Sequence, residues 1–241
     1  RLRGISTVGA NTAPLVVIDG VIGASLDNVD PNDIASIDIL KDGSSAAIYG
    51  SRGSAGVILV TTKSGSRTGG VKVEYNGFVA AANIARRLDI LDAQGFVAAG
   101  GNDLGSETDW VSEVTRTGLT HVHNIALSGG SEKTTYRLST NFRDVNGILK
   151  KSGFDQVNAR ANINHRAIHD KLQMNLNFSI TNRESNFSFN EALRYAVLFN
   201  PTAPVLNDQG NYFQAILFDN FNPASIIELN QNLGKRREIN Y

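Results

Sequence analysis

The feature that most constrains the fold is a strict alternation of side chains over three successive segments. The apolar or small members are Tyr136, Leu138, Thr140 and Phe142; Val157, Ala159, Ala161 and Ile163; and Leu172, Met174, Leu176, Phe178 and Ile180. The polar members are Arg137, Ser139, Asn141 and Arg143; Asn158, Arg160, Asn162 and Asn164; and Gln173, Asn175, Asn177, Ser179 and Thr181. Because a β-strand points successive side chains to opposite faces, each segment is predicted to be a strand with one apolar and one polar face.

The length of these segments separates two kinds of sheet. A half-buried strand of a soluble antiparallel sheet also alternates, but such strands usually have only about 5 or 6 residues. A strand of roughly 13 residues, rising about 3.3 Å each and tilted near 40°, reaches about 33 Å and crosses the ~25 Å apolar band of an outer-membrane barrel. The Asn-rich face suits a wet lumen or the surface of a plug. Length therefore favours transmembrane strands.

Predicted connection lengths provide an independent test. Strands are expected near 71–83 and from about His121, with a sixth beginning near Arg236. The connections between strands would then be long at 84–120, short at 129–133, moderate at 146–153, short at 168–171 and long at 185–235. Alternation of short and long connections is expected of a bacterial barrel with short periplasmic turns and longer extracellular loops.

The N-terminal quarter has a different pattern. Asp30 is a good N-cap, Pro31 fits the first helical position and Asp33 suits the positive N-terminus of a helix, so a short helical turn is predicted to begin at Pro31. Alternation around Asp38 predicts a strand, the small residues of 44–49 suit a helix that Gly50 would end, and 56–62 is a β-branched run typical of a buried strand. These elements predict a small α+β unit with a central sheet. The segment SGSRTGG that follows, 64–70, is predicted to be a flexible linker.

The stretches PLVVIDGV (14–21) and PNDIASIDILKDGSSAAIYGSRGSAGVILVTTKSG (31–65) closely resemble the plug of TonB-dependent outer-membrane transporters of the SusC/RagA branch. The matching motif residues are Asp19, Gly20, Lys41, Asp42, Tyr49, Gly50, Ser51, Arg52 and Gly53. Gly43 departs from the usual Ala, at the start of the predicted helix where the cost is small. The later sequences NPTAPVLNDQGNYF and FNPASIIELNQN resemble a long extracellular loop of the same family.

The resemblance implies an α+β plug domain over 1–66, followed over 67–241 by antiparallel transmembrane β-barrel strands and their loops. Five or six strands cannot close a membrane barrel, and a plugged transporter has about 22 strands. The chain is therefore expected to be part of a longer protein.

The function implied by the resemblance is TonB-dependent import of oligosaccharides or oligopeptides across the bacterial outer membrane. The implied partners are TonB with ExbB and ExbD, a SusD-like surface lipoprotein, the cargo and outer-membrane lipid; no cofactor is implied. Two alternatives stay open: a receptor that mainly signals to an anti-sigma partner, and a soluble carbohydrate-binding β-sandwich.

Composition excludes several classes of function. Lys and Arg total 23 and Asp and Glu total 23, so no net charge attracts nucleic acid. The 241 residues contain no cysteine, which excludes disulfides and thiolate metal sites within them. No Ser, His and Asp set lies in a nucleophile context and no paired carboxylates stand out, so an enzyme is not expected.

Two groups of residues resemble ligand sites but have simpler interpretations. Gly50, Gly53 and Gly56 follow a helix and precede a strand, the reverse of a phosphate-binding loop, so tight turns are predicted. His121 and His123 share one strand face, but without an evident third ligand they are predicted to lie at the membrane interface instead of binding metal.

Three further groups have two interpretations each. Asp109 and Trp110 are possible substrate contacts: Trp110 either stacks on a sugar or peptide or packs within its loop. Asp42 and Arg52 flank the predicted small helix and either form an ion pair or belong to a movable plug surface. The basic triplet 235–237 is expected to face solvent or lipopolysaccharide.

Overall fold

A computed structural model describes residues 13–41, 48–53, 55–67, 70–214 and 221–241. These residues form a small four-stranded sheet, a large six-stranded sheet and a cluster of short helices at one end of the large sheet. The α+β unit followed by long antiparallel strands confirms the predicted fold class.

The small sheet contains β1 (Leu15–Ile18), β2 (Val21–Ile22), β3 (Ile34–Leu40) and β4 (Val57–Thr62), in the order β2-β1-β4-β3. β1 runs parallel to β4, whereas β3 is antiparallel to it. Asp19 and Gly20 make the turn between β1 and β2 with φ of 49° and 89°, a left-handed conformation that glycine adopts without strain. The core of this unit is formed by Ile18, Ala24, Val29 and Val60.

Two short 3₁₀ turns lie between β2 and β3, at Leu26–Asn28 and Pro31–Asp33. The second turn begins as predicted, because the Asp30 side chain accepts a hydrogen bond from the Asn32 backbone N–H at 2.8 Å. The predicted helix of small residues lies mostly outside the described residues, as does Asp42. Gly50 has φ of 62° and opens a 3₁₀ turn, Gly50–Gly53, that leads towards β4.

The large sheet contains β5 (Lys72–Ala82), β6 (Gly118–Gly130), β7 (Thr134–Asn146), β8 (Gly153–Ala167), β9 (Leu172–Asn186) and β10 (Leu233–Asn240). They pair in sequence order and every pair is antiparallel. β6 and β10 each begin three residues earlier than predicted. Gly118 resembles loop sequence but is the first residue of β6. Its backbone lies close to Asn146, and a Cβ added at Gly118 would be 2.5 Å from the Asn146 carbonyl oxygen.

The two faces of the large sheet are as predicted. Leu138 and Phe142 are each 42% exposed, whereas Asn141 and Asn158 are each 3% exposed. This inverts the usual rule for a soluble sheet, in which polar side chains face water. The small sheet covers the polar face and leaves the apolar face open, which is not the arrangement of a soluble β-sandwich.

Short and long connections lie at opposite ends of the large sheet, as predicted. The turns 131–133 and 168–171 are short, whereas 83–117 and 187–232 are long. The long connections contain α1 (Ala93–Ala98), α2 (Trp110–Val114), α3 (Glu191–Leu198) and α4 (Pro223–Leu229). None of the helices in the described ranges is long and apolar enough to cross a membrane.

The segment predicted to be a flexible linker is described as far as Arg67 and again from Gly70. Gly65 lies directly against the backbone of Gly129 and Tyr136, where even a methyl group would not fit. The chain therefore passes closely over the end of the β6–β7 hairpin before it enters β5.

Candidate functional site

The small sheet contacts the polar face of β7 and β8 through buried charges. Arg137 of β7 donates to Asp33 at 3.0 Å and to Glu74 of β5 at 3.0 Å. Ser139, on the same face, donates to the second oxygen of Asp33 at 2.6 Å. The Asp33 side chain is 3% exposed and that of Arg137 is 5% exposed. We call this polar face of the large sheet the wall. Asp33 is buried, so it depends on the wall for the partners that balance its charge.

A second charged contact connects β8 to the end of β1. Arg160 donates to the Asp19 carboxylate at 3.1 Å, and both side chains are buried. The same carboxylate accepts from the Thr62 backbone N–H at 2.8 Å and from the Thr62 hydroxyl at 2.7 Å. Asp19 thus joins two strands of the small sheet to one strand of the wall.

Wall amides make further contacts, to the turns between β2 and β3 and to the end of β4. Asn141 donates to Asp30 at 2.5 Å, Gln156 donates to the Asp27 carbonyl at 2.8 Å, and Asn158 donates to the Asn28 carbonyl. Asn162 donates to the Thr62 hydroxyl at 2.6 Å and to the Lys63 carbonyl at 3.0 Å. These contacts follow every second residue of β7 and β8, which is the polar face that the alternation predicted. We call this set of contacts the plug–wall interface.

The chemistry of this interface suits an element that detaches. An intramolecular hydrogen bond contributes only about 0.5–1.5 kcal/mol net, because water offers equivalent partners to both groups after separation. Separating an apolar interface would instead cost a free energy of about 25 cal/mol for each Å² of apolar surface that is exposed to water. Separating the plug–wall interface would therefore expose groups that water can hydrogen-bond.

The predicted motif residues fall into two groups. Asp19 lies in the plug–wall interface and Gly20 completes its turn. Lys41 is exposed just after β3, Tyr49 is half-buried, and Gly50, Ser51, Arg52 and Gly53 form the 3₁₀ turn before β4. Asp42 lies outside the described residues, so its suggested pair with Arg52 does too.

Sequence reasoning missed the main role of two interface residues. Asp30 and Asp33 were predicted only as helix-turn residues, yet each is also held by β7. The one available signal was the row of Asn and Arg on the polar face of β7 and β8. That row indicated a polar surface but not which plug residues contact it.

Trp110 does not lie where it could stack on cargo, which corrects that interpretation. Its ring is 3% exposed and packs edge-on against Phe199, with centroids 4.8 Å apart and planes at 70°. Its indole N–H donates to the Asn200 carbonyl at 2.9 Å. Trp110 therefore belongs to the core that joins the two long connections, where α2, α3 and α4 pack together.

Asp109 caps α2 and remains half-exposed. Its carboxylate accepts from the Ser112 backbone N–H at 3.1 Å, from the Ser112 hydroxyl at 2.6 Å and from Arg87 at 2.8 Å. Partial burial raises the pKa of Asp109, but the bonds from Ser112 and Arg87 outweigh it and hold the pKa below its ordinary value.

The two histidines lie on the outward face of β6. His123 shares a hydrogen bond of 2.7 Å with the Tyr75 hydroxyl, and the two rings stack. Among the residues that the structure describes, no group of three or more His, Cys, Asp or Glu could hold a metal ion.

The predicted glycine turns have positive φ at Gly50 and Gly56, of 62° and 96°.

Comparisons with known proteins agree with this architecture. Residues 1–57 match the family described as TonB-dependent Receptor Plug Domain. The chain is 34% identical over 231 residues to the TonB-dependent receptor SusC of Bacteroides thetaiotaomicron, covering 88% of this chain and 23% of SusC. It is 32% identical over 257 residues to the TonB-dependent receptor P26 of Formosa agariphila, covering 96% of this chain and 26% of P26.

The fold resembles a solved structure titled the RagAB peptide importer in the closed-closed state, with a TM-score of 0.74 at 22% sequence identity. That match covers 92% of this chain and 31% of the solved chain. The chain thus spans about a quarter of the length of the curated relatives that it matches.

Proposed function

We propose that this chain, which is a SusC/RagA-like TonB-dependent receptor sequence, forms the gate of a transporter that imports nutrients across the bacterial outer membrane. The observation that carries the proposal is the docking of the small sheet on the wall, the polar face of a sheet whose other face is apolar. In this proposal residues 1–66 are the plug and 67–241 are the first strands and loops of the barrel.

In the closed state the plug–wall interface keeps the plug in the lumen. TonB, with ExbB and ExbD, pulls on the N-terminal side of the plug and separates buried pairs such as Asp33–Arg137. The uncovered wall is then lined with amides and guanidinium groups, which water solvates and along which polar cargo passes. A SusD-like lipoprotein covers the extracellular side, and the cargo is an oligosaccharide or an oligopeptide.

A disulfide between plug and wall tests the gate. Asp33 and Ser139 have short side chains whose oxygens lie 2.6 Å apart, so Asp33→Cys with Ser139→Cys joins the two sheets. The full-length receptor is produced in its own bacterium, and labelled oligosaccharide and oligopeptide mixtures are supplied separately. Uptake of the mixture that the parent imports should stop under oxidising conditions and return after reduction.

A matched control has a disulfide that does not involve the plug. Thr140 and Ala159 are paired across β7 and β8 on the outward face, and Thr140→Cys with Ala159→Cys should leave uptake at the parental rate. If the receptor still takes up cargo when its plug–wall disulfide is fully oxidised, gating by plug release is refuted. A parent that imports neither mixture by an energy-dependent route would refute import itself.

A further inference from the structure

We propose that Asp19 is the coupling residue of the gate, through which a pull on β1 releases the plug from Arg160 while β1 stays paired with β4. The proposal rests on the proposed function in one respect, that force reaches the plug from the N-terminal side of β1. It deepens that function by stating which contact breaks first.

The geometry at Asp19 connects three elements through one side chain. One carboxylate oxygen accepts from the Thr62 backbone N–H, and the other accepts from both the Thr62 hydroxyl and Arg160. The Asp19 backbone N–H also donates to the Val60 carbonyl at 3.0 Å. Asp19 is thus fixed to β4 by three hydrogen bonds and to the wall by one ion pair.

The direction of β1 explains why it stays with β4. Leu15 pairs with Val57 and Ile18 with Val60, so the two strands run in the same direction. The chain enters β1 at Leu15 but leaves β4 after Thr62, at the opposite end of the ladder. Pulling these two ends apart loads all the paired residues together instead of one after another.

Burial also holds β1 on β4 more firmly than on the wall. Val17 and Ile18 are each 3% exposed, and separating the strands would expose both to water. Release from the wall at this point breaks the Asp19–Arg160 ion pair and the bonds from Asn162 to Thr62 and Lys63, all of them polar contacts that water can replace. The wall contact is therefore the weaker of the two and separates first.

A small cavity beside Arg160 assists this release. It has a volume of about 10 Å³ and is lined by residues that include Asp19, Asn28 and Arg160. Among the described residues, Nε of Arg160 has no hydrogen-bond partner. The volume suffices for one water molecule. Water can therefore solvate the guanidinium as Asp19 leaves.

Force measurements on the full-length receptor in a bilayer test the proposal. The receptor is held by its barrel and pulled at constant force by a handle on the N-terminal side of the plug. Asp19→Asn and Arg160→Gln should each raise the rate of the first rupture by at least about tenfold, the smallest effect expected from losing a hydrogen bond to a charged group. Both changes remove the same ion pair, and Asp19→Asn also removes one acceptor for Thr62, so the double variant should rupture no faster than Asp19→Asn alone.

Two further variants keep the result interpretable. Asp38→Asn makes the same chemical change at an exposed carboxylate of β3 and should leave the rate unchanged. Val16→Cys with Ile58→Cys joins paired residues of β1 and β4, and oxidation should also leave the first rupture unchanged.

Two results would overturn the coupling role of Asp19. One is an additive effect of the two changes in the double variant. The other is a first rupture that disappears when the β1–β4 disulfide forms, since that result means β1 is stripped from β4. Neither measurement depends on uptake, so failure of the coupling proposal and failure of the import proposal are distinguishable.

Discussion

Replacing Arg137 by Met should loosen the plug strongly. Arg137 neutralises Asp33, whose side chain is 3% exposed, and also binds Glu74. Among the residues that the structure describes, its loss leaves Ser139 as the one remaining wall donor to this buried carboxylate. Removing one partner of a buried ion pair costs about 3–5 kcal/mol. At about 1.4 kcal/mol per factor of ten, the undocked fraction should rise by roughly two to three and a half orders of magnitude.

Cysteine labelling measures the undocked fraction directly. Ser179 on β9 is 3% exposed and lines the cavity beside Asp19, so Ser179→Cys is reached by a maleimide only when the plug has moved. The chain has no other cysteine within its 241 residues. When the plug moves rapidly relative to the reaction, the labelling rate is proportional to the open population.

The double variant provides the decisive control. Arg137→Met with Asp33→Asn removes both charges of the pair, and replacing a buried ion pair by uncharged groups is often close to neutral. Labelling should then fall back by at least about tenfold from the rate of the single variant. Parental labelling in Arg137→Met, or no recovery in the double variant, would refute the argument that charge balance holds the plug.

Three further outcomes concern other parts of the fold. Trp110→Ala should destabilise the helices of the long connections by about 3–5 kcal/mol, seen as faster amide exchange in α2 and α3 with β7 and β8 unchanged. The pKa of Asp109 is lowered in the fold, so its stabilisation of α2 is present above the unfolded pKa and is lost as pH falls through the folded pKa. Faster amide exchange of 110–114 should show this loss. Asp109→Asn should abolish the pH dependence. Gly65→Ala should lower the thermal stability of the receptor by forcing the chain away from Tyr136, whereas Gly70→Ala, with open space at its Cα, should not.

The strands and their faces could be predicted because their signal is local. Alternation over more than ten residues fixes both the element and its two faces, and the structure places Asn141 and Asn158 on the buried polar face accordingly. The ends were less certain, since Gly118 and Leu233 resemble loop sequence until their pairing is known.

The contacts of the candidate site could not be predicted for the opposite reason. Asp33 and Arg137 are 104 residues apart in sequence, and Asp19 and Arg160 are 141 apart. No periodicity connects residues at such separations. Trp110 shows the same limit: the four residues before it, 106–109, are polar, but the carbonyl that binds its indole lies 90 residues further on.

The polar plug–wall interface answers two requirements that conflict in most protein interiors. A plug held by apolar packing would expose that surface to water each time it opened, and an apolar surface of such size promotes association. A wall lined with apolar groups would also repel polar cargo from the lumen. Amides such as Asn141 and Asn158 bond the plug in the docked state, and in the proposed open state they would bind water instead. The buried charges Asp19, Asp33 and their arginine partners add specificity, because a misplaced plug would leave them unpaired.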